Sequence, residues 1–83
     1  MRDLKLTFVT RVGCHLCDHA RPVVLEAARR AGAVVEEVDV DRDDHLLANY
    51  GMRIPVLLGP EDEVLAEGVI DDRKALRRLL KRL

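Results

Sequence analysis

The sequence predicts an α/β fold, a four-stranded mixed sheet covered by helices with the element order β-α-β-α-β-β-α. Three observations predict it. Apolar, β-branched segments alternate with segments whose apolar residues recur at helical spacing. Two successive strand–helix units imply a parallel pair of strands joined by a right-handed crossover. A Gly-Pro turn followed by a further strand pattern adds an antiparallel hairpin before the last helix.

The first half of the chain carries the two predicted parallel strands and the helix between them. Leu4–Thr10 (LKLTFVT) is apolar and β-branched, as strands are. Asp18–Gly32 is predicted to be a helix that Gly32 ends. Its apolar residues at helical spacing are Val23, Val24, Ala27, Ala28 and Ala31. Ala33–Asp41 (AVVEEVDVD) alternates toward its end and predicts the second strand.

A short helix and a buried strand follow. The polar patch 42–44 (RDD) offers an N-cap for a helix that runs to Tyr50 and ends at Gly51. Ile54–Leu58 (IPVLL) has the pattern of a buried strand opened by a proline.

The hairpin and the final helix complete the order. The turn 59–62 (GPED) leads into Glu63–Ile70 (EVLAEGVI), the predicted returning strand. Asp71 or Asp72 then caps a last helix. Its predicted apolar stripe consists of Leu76, Leu79, Leu80 and Leu83.

Composition restricts the function classes. Eighty-three residues suit one domain, and a formal net charge of −1 does not indicate nucleic acid or membrane as a partner. No apolar run approaches the ~20 residues of a membrane span, and the first residues, MRDLK, lack the apolar core of a signal peptide. We therefore expect a cytoplasmic monomer. The basic residues of the last helix, from Arg73 onward, are expected to form its solvated face, the alternative being a surface for nucleic acid or an acidic partner.

The chain has two cysteines, and both lie in the segment Cys14-His15-Leu16-Cys17, between the first strand and the first helix. A secreted domain held together by disulfides would have more cysteines, spread along the chain. Helix N–H groups and the helix dipole stabilise a thiolate at this place, so we expect the pKa of Cys14 to lie below that of a free thiol. Cys17 is one helical turn on and can reach back to form a disulfide. The pattern predicts an attacking thiol and a resolving thiol.

Several segments resemble known redox proteins. Val9–Cys17 resembles the start of small glutaredoxin-like proteins of the thioredoxin-like superfamily, where a basic residue stands three positions before the first cysteine. Arg11 has that position, and the resemblance implies that it pairs with a glutathione carboxylate. Val38–Asp41 and Tyr50–Pro55 are more similar to thioredoxin. In both families the proline is cis and faces the active sulfurs, which the resemblance implies for Pro55.

The same resemblance implies a substrate groove. A cis Ile54–Pro55 bond would expose the Ile54 backbone groups to an extended thiol substrate, which can pair with them as an added strand does. The alternative for Pro55 is a proline that merely opens an edge strand. Asp71 or Asp72 could reach glutathione from the start of the last helix.

Three residue positions depart from the family patterns. The pair between the cysteines is His15-Leu16, neither the Pro-Tyr of glutaredoxins nor the Gly-Pro of thioredoxin. Phe8 stands where thioredoxin has a buried acid. The segment 68–71 (GVID) replaces the Gly-Gly-x-Asp with which glutaredoxins hold glutathione.

The alternative for the cysteines is a zinc site with His15 and His19 as further ligands. All four ligands would lie within six residues, and such a local cluster cannot tie distant segments together. A Cys-x-x-Cys between strand and helix in a cytosolic βαβ pattern favours redox chemistry. His15, if protonated, would lower the pKa of Cys14 further, whereas His19 and His45 are expected to be surface residues.

We therefore predict a thiol–disulfide oxidoreductase in which Cys14 attacks and Cys17 resolves. No cofactor is expected to be bound, and glutathione is a candidate reductant. The expected partners are a disulfide-containing protein or glutathione. Two alternatives stay open: a metal or iron–sulfur protein, and a binding module whose Cys14 titrates near ~8.5 like a free thiol.

Overall fold

In the computed structural model, which describes residues 4–83, four strands and three helices follow the predicted order. They are β1 (Leu4–Thr10), α1 (His15–Ala31), β2 (Ala33–Asp39), α2 (Asp44–Tyr50), β3 (Val56–Leu58), β4 (Val64–Glu67) and α3 (Arg73–Lys81), with a 3₁₀ turn over Val40–Arg42 between β2 and α2. The sheet order is β2-β1-β3-β4. β1 is parallel to β2, while β3 is antiparallel to both β1 and β4. The predicted mixed four-stranded sheet is confirmed.

Alternate residues of β1 supply the two halves of the core. Leu6 and Phe8 are fully buried in a cluster with the apolar faces of α1 and α3, while Val9 belongs to a second cluster on the side of α2. This period of two is the geometry of a strand covered on both faces. The central strand therefore has helices on both sides, and its end at Thr10 lies between them.

The first helix begins earlier than predicted. The expectation of a start at Asp18 was wrong, because the helix begins at His15 with Cys14 as its N-cap. At the other end Gly32 adopts the left-handed conformation (φ 71°) and ends the helix as predicted.

The second, third and fourth strands are shorter than their sequence patterns. β2 stops at Asp39, not at Asp41, because the Asp39 side chain accepts a hydrogen bond from the Asp41 N–H and starts a 3₁₀ turn. β3 begins only after Pro55, which has no N–H to donate. β4 ends at Glu67 and not at Ile70, because Gly68 turns the chain with a positive φ of 73°.

The ends of the two short helices are fixed by single residues. Asp43 caps α2, with its Oδ1 accepting from the Leu46 N–H at 3.0 Å. Of the two acids predicted as alternative caps of α3, Asp72 has that role and Asp71 does not. Gly51 ends α2 in a right-handed conformation, and a Cβ there would lie 2.6 Å from the Leu47 carbonyl oxygen.

The apolar stripe of α3 is narrower than predicted. Leu76 and Leu80 are buried against the core, but Leu79 and Leu83 are 37% and 39% exposed. None of the helices in residues 4–83 has both the length and the hydropathy needed to span a membrane.

Candidate active site

The loop between β1 and α1 places the cysteine pair at the N-terminus of α1. The Cys14 N–H donates to the Arg11 carbonyl at 3.2 Å, and the Asp18 N–H donates to the Cys14 carbonyl at 3.0 Å. Gly13, with a positive φ of 81°, allows the tight turn between these bonds. Cys14 is therefore fixed by its backbone on both sides, where the helix begins.

Cys14 and Cys17 are joined in a disulfide, with their Cα atoms 5.2 Å apart. The Cys17 N–H donates to Sγ of Cys14 at 3.1 Å, so the sulfur occupies the place that a Ser or Asp oxygen usually has at a helix start. A backbone N–H at this position stabilises negative charge on the sulfur.

The two sulfurs differ in access. Cys17 is fully buried under the first turn of α1, whereas Cys14 is partly exposed at the end of the loop. A molecule approaching from solvent therefore meets the Cys14 sulfur first.

The Ile54–Pro55 peptide bond is cis and lies at the same end of the sheet. Val9 is paired with Val56, so Pro55 is next to the end of β1, from which the cysteine loop departs. The Pro55 carbonyl accepts from the Gly68 N–H at 2.9 Å, which brings the loop after β4 to the same edge. Within residues 4–83 the Ile54 backbone N–H and C=O form no hydrogen bond. These groups remain available to pair with an added strand.

Arg11 lies beside the cysteine loop and is already engaged. Its Nε and Nη2 donate to the two carboxylate oxygens of Asp41, each at 2.9 Å, and its Nη1 donates to the Gly51 carbonyl at 3.3 Å. The two bonds between Arg11 and Asp41 raise the pKa of Arg11 and lower that of the Asp41 carboxyl. The predicted substrate cation is therefore near the site, but its charge is balanced by Asp41.

A polar network that the sequence did not single out lies under the first turns of α1. The Thr10 hydroxyl, which is buried, donates to Glu37 at 2.8 Å, and Arg21 forms two bonds to the same carboxylate at 2.8 and 2.9 Å. Arg21 also pairs with Asp18. The pKa of Glu37 is lowered mainly by its bonds with Arg21, although burial opposes this effect. The alternation of side chains along β1 and β2 could have indicated the contact between Thr10 and Glu37, since it places both on one face of the sheet.

This network forms one side of a cleft of about 490 Å³ next to the cysteine loop. Its lining residues are Thr10, Arg11, Val12, Gly13, Asp18, Arg21, Glu37 and Asp39. Both arginines in it are paired with carboxylates, so the cleft has no unpaired cation from the described residues.

Four exposed apolar side chains lie on the loops around the disulfide and in the first turn of α1. Val12 and Leu16 flank Cys14 in the chain and are 87% and 46% exposed. Met52 comes directly after Gly51, whose carbonyl accepts a hydrogen bond from Arg11. Val69 comes directly after Gly68, whose N–H donates to the Pro55 carbonyl. The surface around Cys14 therefore has exposed apolar side chains as well as the charged lining of the cleft.

The remaining predicted site residues are at the surface. His15 is exposed next to Cys14, and His19 is exposed one turn further along α1. Asp72 is used as the cap of α3, while Asp71 is exposed in the loop before it. Among the described residues no group of three His, Cys, Asp or Glu side chains is arranged to hold a metal ion.

Phe8 is fully buried in the core cluster beneath α1, where the sequence comparison placed it. An aromatic ring there leaves no carboxylate at that position to accept a proton from the buried thiol.

Comparisons with known proteins agree on the fold and the family. The model of a glutaredoxin-like domain (DUF836) matches residues 5–81. The X-ray structure of the structural-genomics target protein XcR50 from X. campestris is 38% identical, with a TM-score of 0.75, 94% of this chain covered and 97% of that one. A mutant thioredoxin from Halobacterium salinarum is 32% identical, with a TM-score of 0.69, 98% of this chain covered and 74% of that one. No curated protein matches the chain.

Proposed function

The chain belongs to the glutaredoxin-like (DUF836) family of thioredoxin-fold proteins, and from that premise we propose that it is a thiol–disulfide oxidoreductase acting on protein disulfides or glutathione mixed disulfides. The observation that carries the proposal is the difference between the two sulfurs of one disulfide. Cys14 is at the surface on a helix N-terminus, and Cys17 is fully buried behind it.

In the proposed reaction the reduced protein begins with a Cys14 thiolate, which the Cys17 N–H and the start of α1 stabilise. The thiolate attacks one sulfur of a substrate disulfide. A Cys14–substrate disulfide forms, the substrate S–S bond breaks, and the other substrate sulfur leaves as a thiolate that takes a proton from water.

Cys17 then gives its proton to water, and its thiolate attacks the Cys14 sulfur. The bond to the substrate breaks, the second substrate thiolate leaves, and the Cys14–Cys17 disulfide remains. The substrate has gained two electrons and the protein has lost two. An external thiol, glutathione or a protein dithiol, resets the pair by the same exchange run in reverse.

Substrate positioning is assigned to the loops around Cys14. The Ile54 backbone groups suit an extended segment held as an added strand next to Pro55. Arg11 would anchor an acidic end of the substrate by exchanging its bond with Asp41. Of the two acids before α3, Asp71 is the one left to contact a ligand, because Asp72 caps the helix.

His15 is assigned a tuning role. The exposed His15 ring comes directly after Cys14 in the chain. A protonated imidazole there would favour the Cys14 thiolate, and with it the reduced form of the protein. We also propose that the protein works in the cytoplasm, because both of its cysteines serve the redox pair and none is left for a structural disulfide. We propose that it does so as a monomer.

The test is a pair of coupled assays on the full chain. Insulin-disulfide reduction is measured with thioredoxin reductase as the electron source, and reduction of a glutathione mixed disulfide is measured with glutathione and glutathione reductase. Replacing Cys14 by Ser is expected to abolish both activities. Replacing Cys17 by Ser is expected to spare the glutathione route, where a second glutathione can resolve the intermediate. Unchanged activity of the Cys14→Ser variant would exclude the proposal, and the ratio of the two assays identifies the preferred reductant.

A further inference from the structure

A second concave site lies far from the disulfide, between the last turns of α1 and the exposed face of α3. This groove has a volume of about 480 Å³. Its lining residues are Ala27, Arg30, Ala31, Lys74, Arg77, Arg78 and Lys81. Ala27 is about 20 Å along α1 from the start of the helix, at 1.5 Å per residue. The thiol chemistry at Cys14 does not use it.

The groove collects positive charge that an ion pair balances only at Arg30. Five of the chain's 14 lysines and arginines line it, although the net charge of the chain is −1. Glu26, just outside the lining, pairs with Arg30 and Arg73. In residues 4–83 none of the four α3 cations that line the groove forms an ion pair.

This arrangement opposes the stability of α3. Lys74 is three and four residues before Arg77 and Arg78, and like charges at these spacings on a helix repel and destabilise it. An anion bound between the cations would remove that repulsion. Ala27 and Ala31 have small side chains, so the groove floor is open to a ligand.

We propose that the groove binds a small oligophosphate anion. Its volume is in the range of small-molecule sites. Three of its five cations are arginines, whose planar guanidinium groups bind phosphate oxygens two at a time. The chain's two aromatic residues, Phe8 and Tyr50, are not in the lining, so the groove offers no surface on which bases of a single-stranded nucleic acid would stack.

The test uses isothermal titration of the full-length protein with sodium tripolyphosphate at fixed, near-physiological ionic strength, where one ligand is expected to bind per chain. Replacing Lys74 and Arg78 by Gln is expected to raise Kd about tenfold or more, because it removes two charge-assisted contacts. The control replaces Arg29 and Arg42 by Gln, which removes the same charge from exposed residues that neither line the groove nor pair with an acid among the described residues. Its Kd is expected to change less than about twofold, because neither side chain lines the groove and their remaining effect on a bound anion is screened by salt.

Folding and redox effects are separated by two further measurements. Without ligand, the Lys74→Gln/Arg78→Gln variant is expected to melt no lower than the wild type, because like-charge repulsion has been removed. The Cys14→Ser variant is expected to bind tripolyphosphate as the wild type does.

The proposal is overturned if binding does not saturate, or if both double variants weaken it equally. It is likewise overturned if a twelve-nucleotide oligothymidylate or a glutamate-rich peptide binds more tightly than tripolyphosphate in the same buffer. Those last two results would assign the groove to nucleic acid or to an acidic protein segment instead.

Discussion

Arg11 and Asp41 form a two-point ion pair, with Nε and Nη2 of the arginine each 2.9 Å from a carboxylate oxygen. The pair joins the loop before Cys14 to the 3₁₀ turn after β2. A third N–H of Arg11 reaches the Gly51 carbonyl at 3.3 Å. Arg11 therefore joins the loop before Cys14 to two neighbouring segments, and an acidic substrate would have to compete with Asp41 for it.

Replacing Asp41 by Asn is expected to release Arg11 toward the substrate. In glutathione-coupled assays we expect KM for a glutathione mixed disulfide to fall about two- to fivefold, with kcat little changed, because the substrate carboxylate gains the vacated contact. The control is Asp44→Asn, which removes the same charge from an exposed residue with no ion pair among the described residues. Equal KM changes in both variants, or none in Asp41→Asn, would contradict a binding role for Arg11.

The two thiols of the reduced protein are expected to react in a fixed order. Limiting iodoacetamide at neutral pH should alkylate Cys14 and leave Cys17 unmodified, because Cys17 has no exposed surface and the helix start favours a thiolate at Cys14. Peptide mass spectrometry measures the ratio. In a denaturant the preference should disappear, and a preference for Cys17 in the folded protein would refute the proposed roles.

Replacing Glu37 by Gln is expected to change the pH dependence of stability. Arg21 lowers the pKa of Glu37 in the folded protein, so the ionised side chain contributes to the unfolding free energy. This contribution is fully present above the unfolded pKa of about 4.3 and is lost as the pH falls through the lower, folded pKa. At pH 7 the variant should lose less than about 1 kcal/mol of unfolding free energy, because the ion pair is partly exposed.

Urea unfolding at pH 7 and at pH 3 measures this difference, which should shrink at the lower pH. Glu61→Gln is the control, since Glu61 is exposed and forms no ion pair with a described residue. If Glu37→Gln loses the same unfolding free energy at both pH values, the side chain stabilises the fold through its shape and not through its charge.

Gly51 is expected to tolerate alanine less well than Gly59. A Cβ at Gly51 would lie 2.6 Å from the Leu47 carbonyl oxygen, a main-chain atom, whereas at Gly59 it would meet the end of the flexible Glu63 side chain. We expect Gly51→Ala to cost about 1–3 kcal/mol in urea unfolding, as overpacking does. Gly59→Ala should cost clearly less, and equal losses would show that the Leu47 contact is not the cause.

The element order and the cysteine pair were predictable because both are local patterns. The spacing of apolar residues indicates which segments are helices and which are strands, and this gives the element order. Cys14 and Cys17 are separated by one turn of α1. The helix start was mispredicted at Asp18 because a cysteine is not among the usual N-cap residues. Here the sulfur of Cys14 takes that role.

The contacts around the pair were less predictable, since they join residues about thirty positions apart. Thr10 bonds to Glu37 and Arg11 bonds to Asp41 only because β1 and β2 are parallel in one register. The alternation of the strands places Thr10 and Glu37 on one face, whereas Arg11 and Asp41 lie just beyond the ends of β1 and β2, where the strand pattern does not fix their direction. The exposure of Leu79 likewise depends on where α3 crosses α1.

In the proposed reaction, the burial of Cys17 leaves a single point of entry for electrons. Oxidant and reductant must both reach the partly exposed Cys14 sulfur, so the two cannot occupy the protein together. The proposed reaction would therefore follow a ping-pong sequence, in which an excess of either partner competes with the other for Cys14.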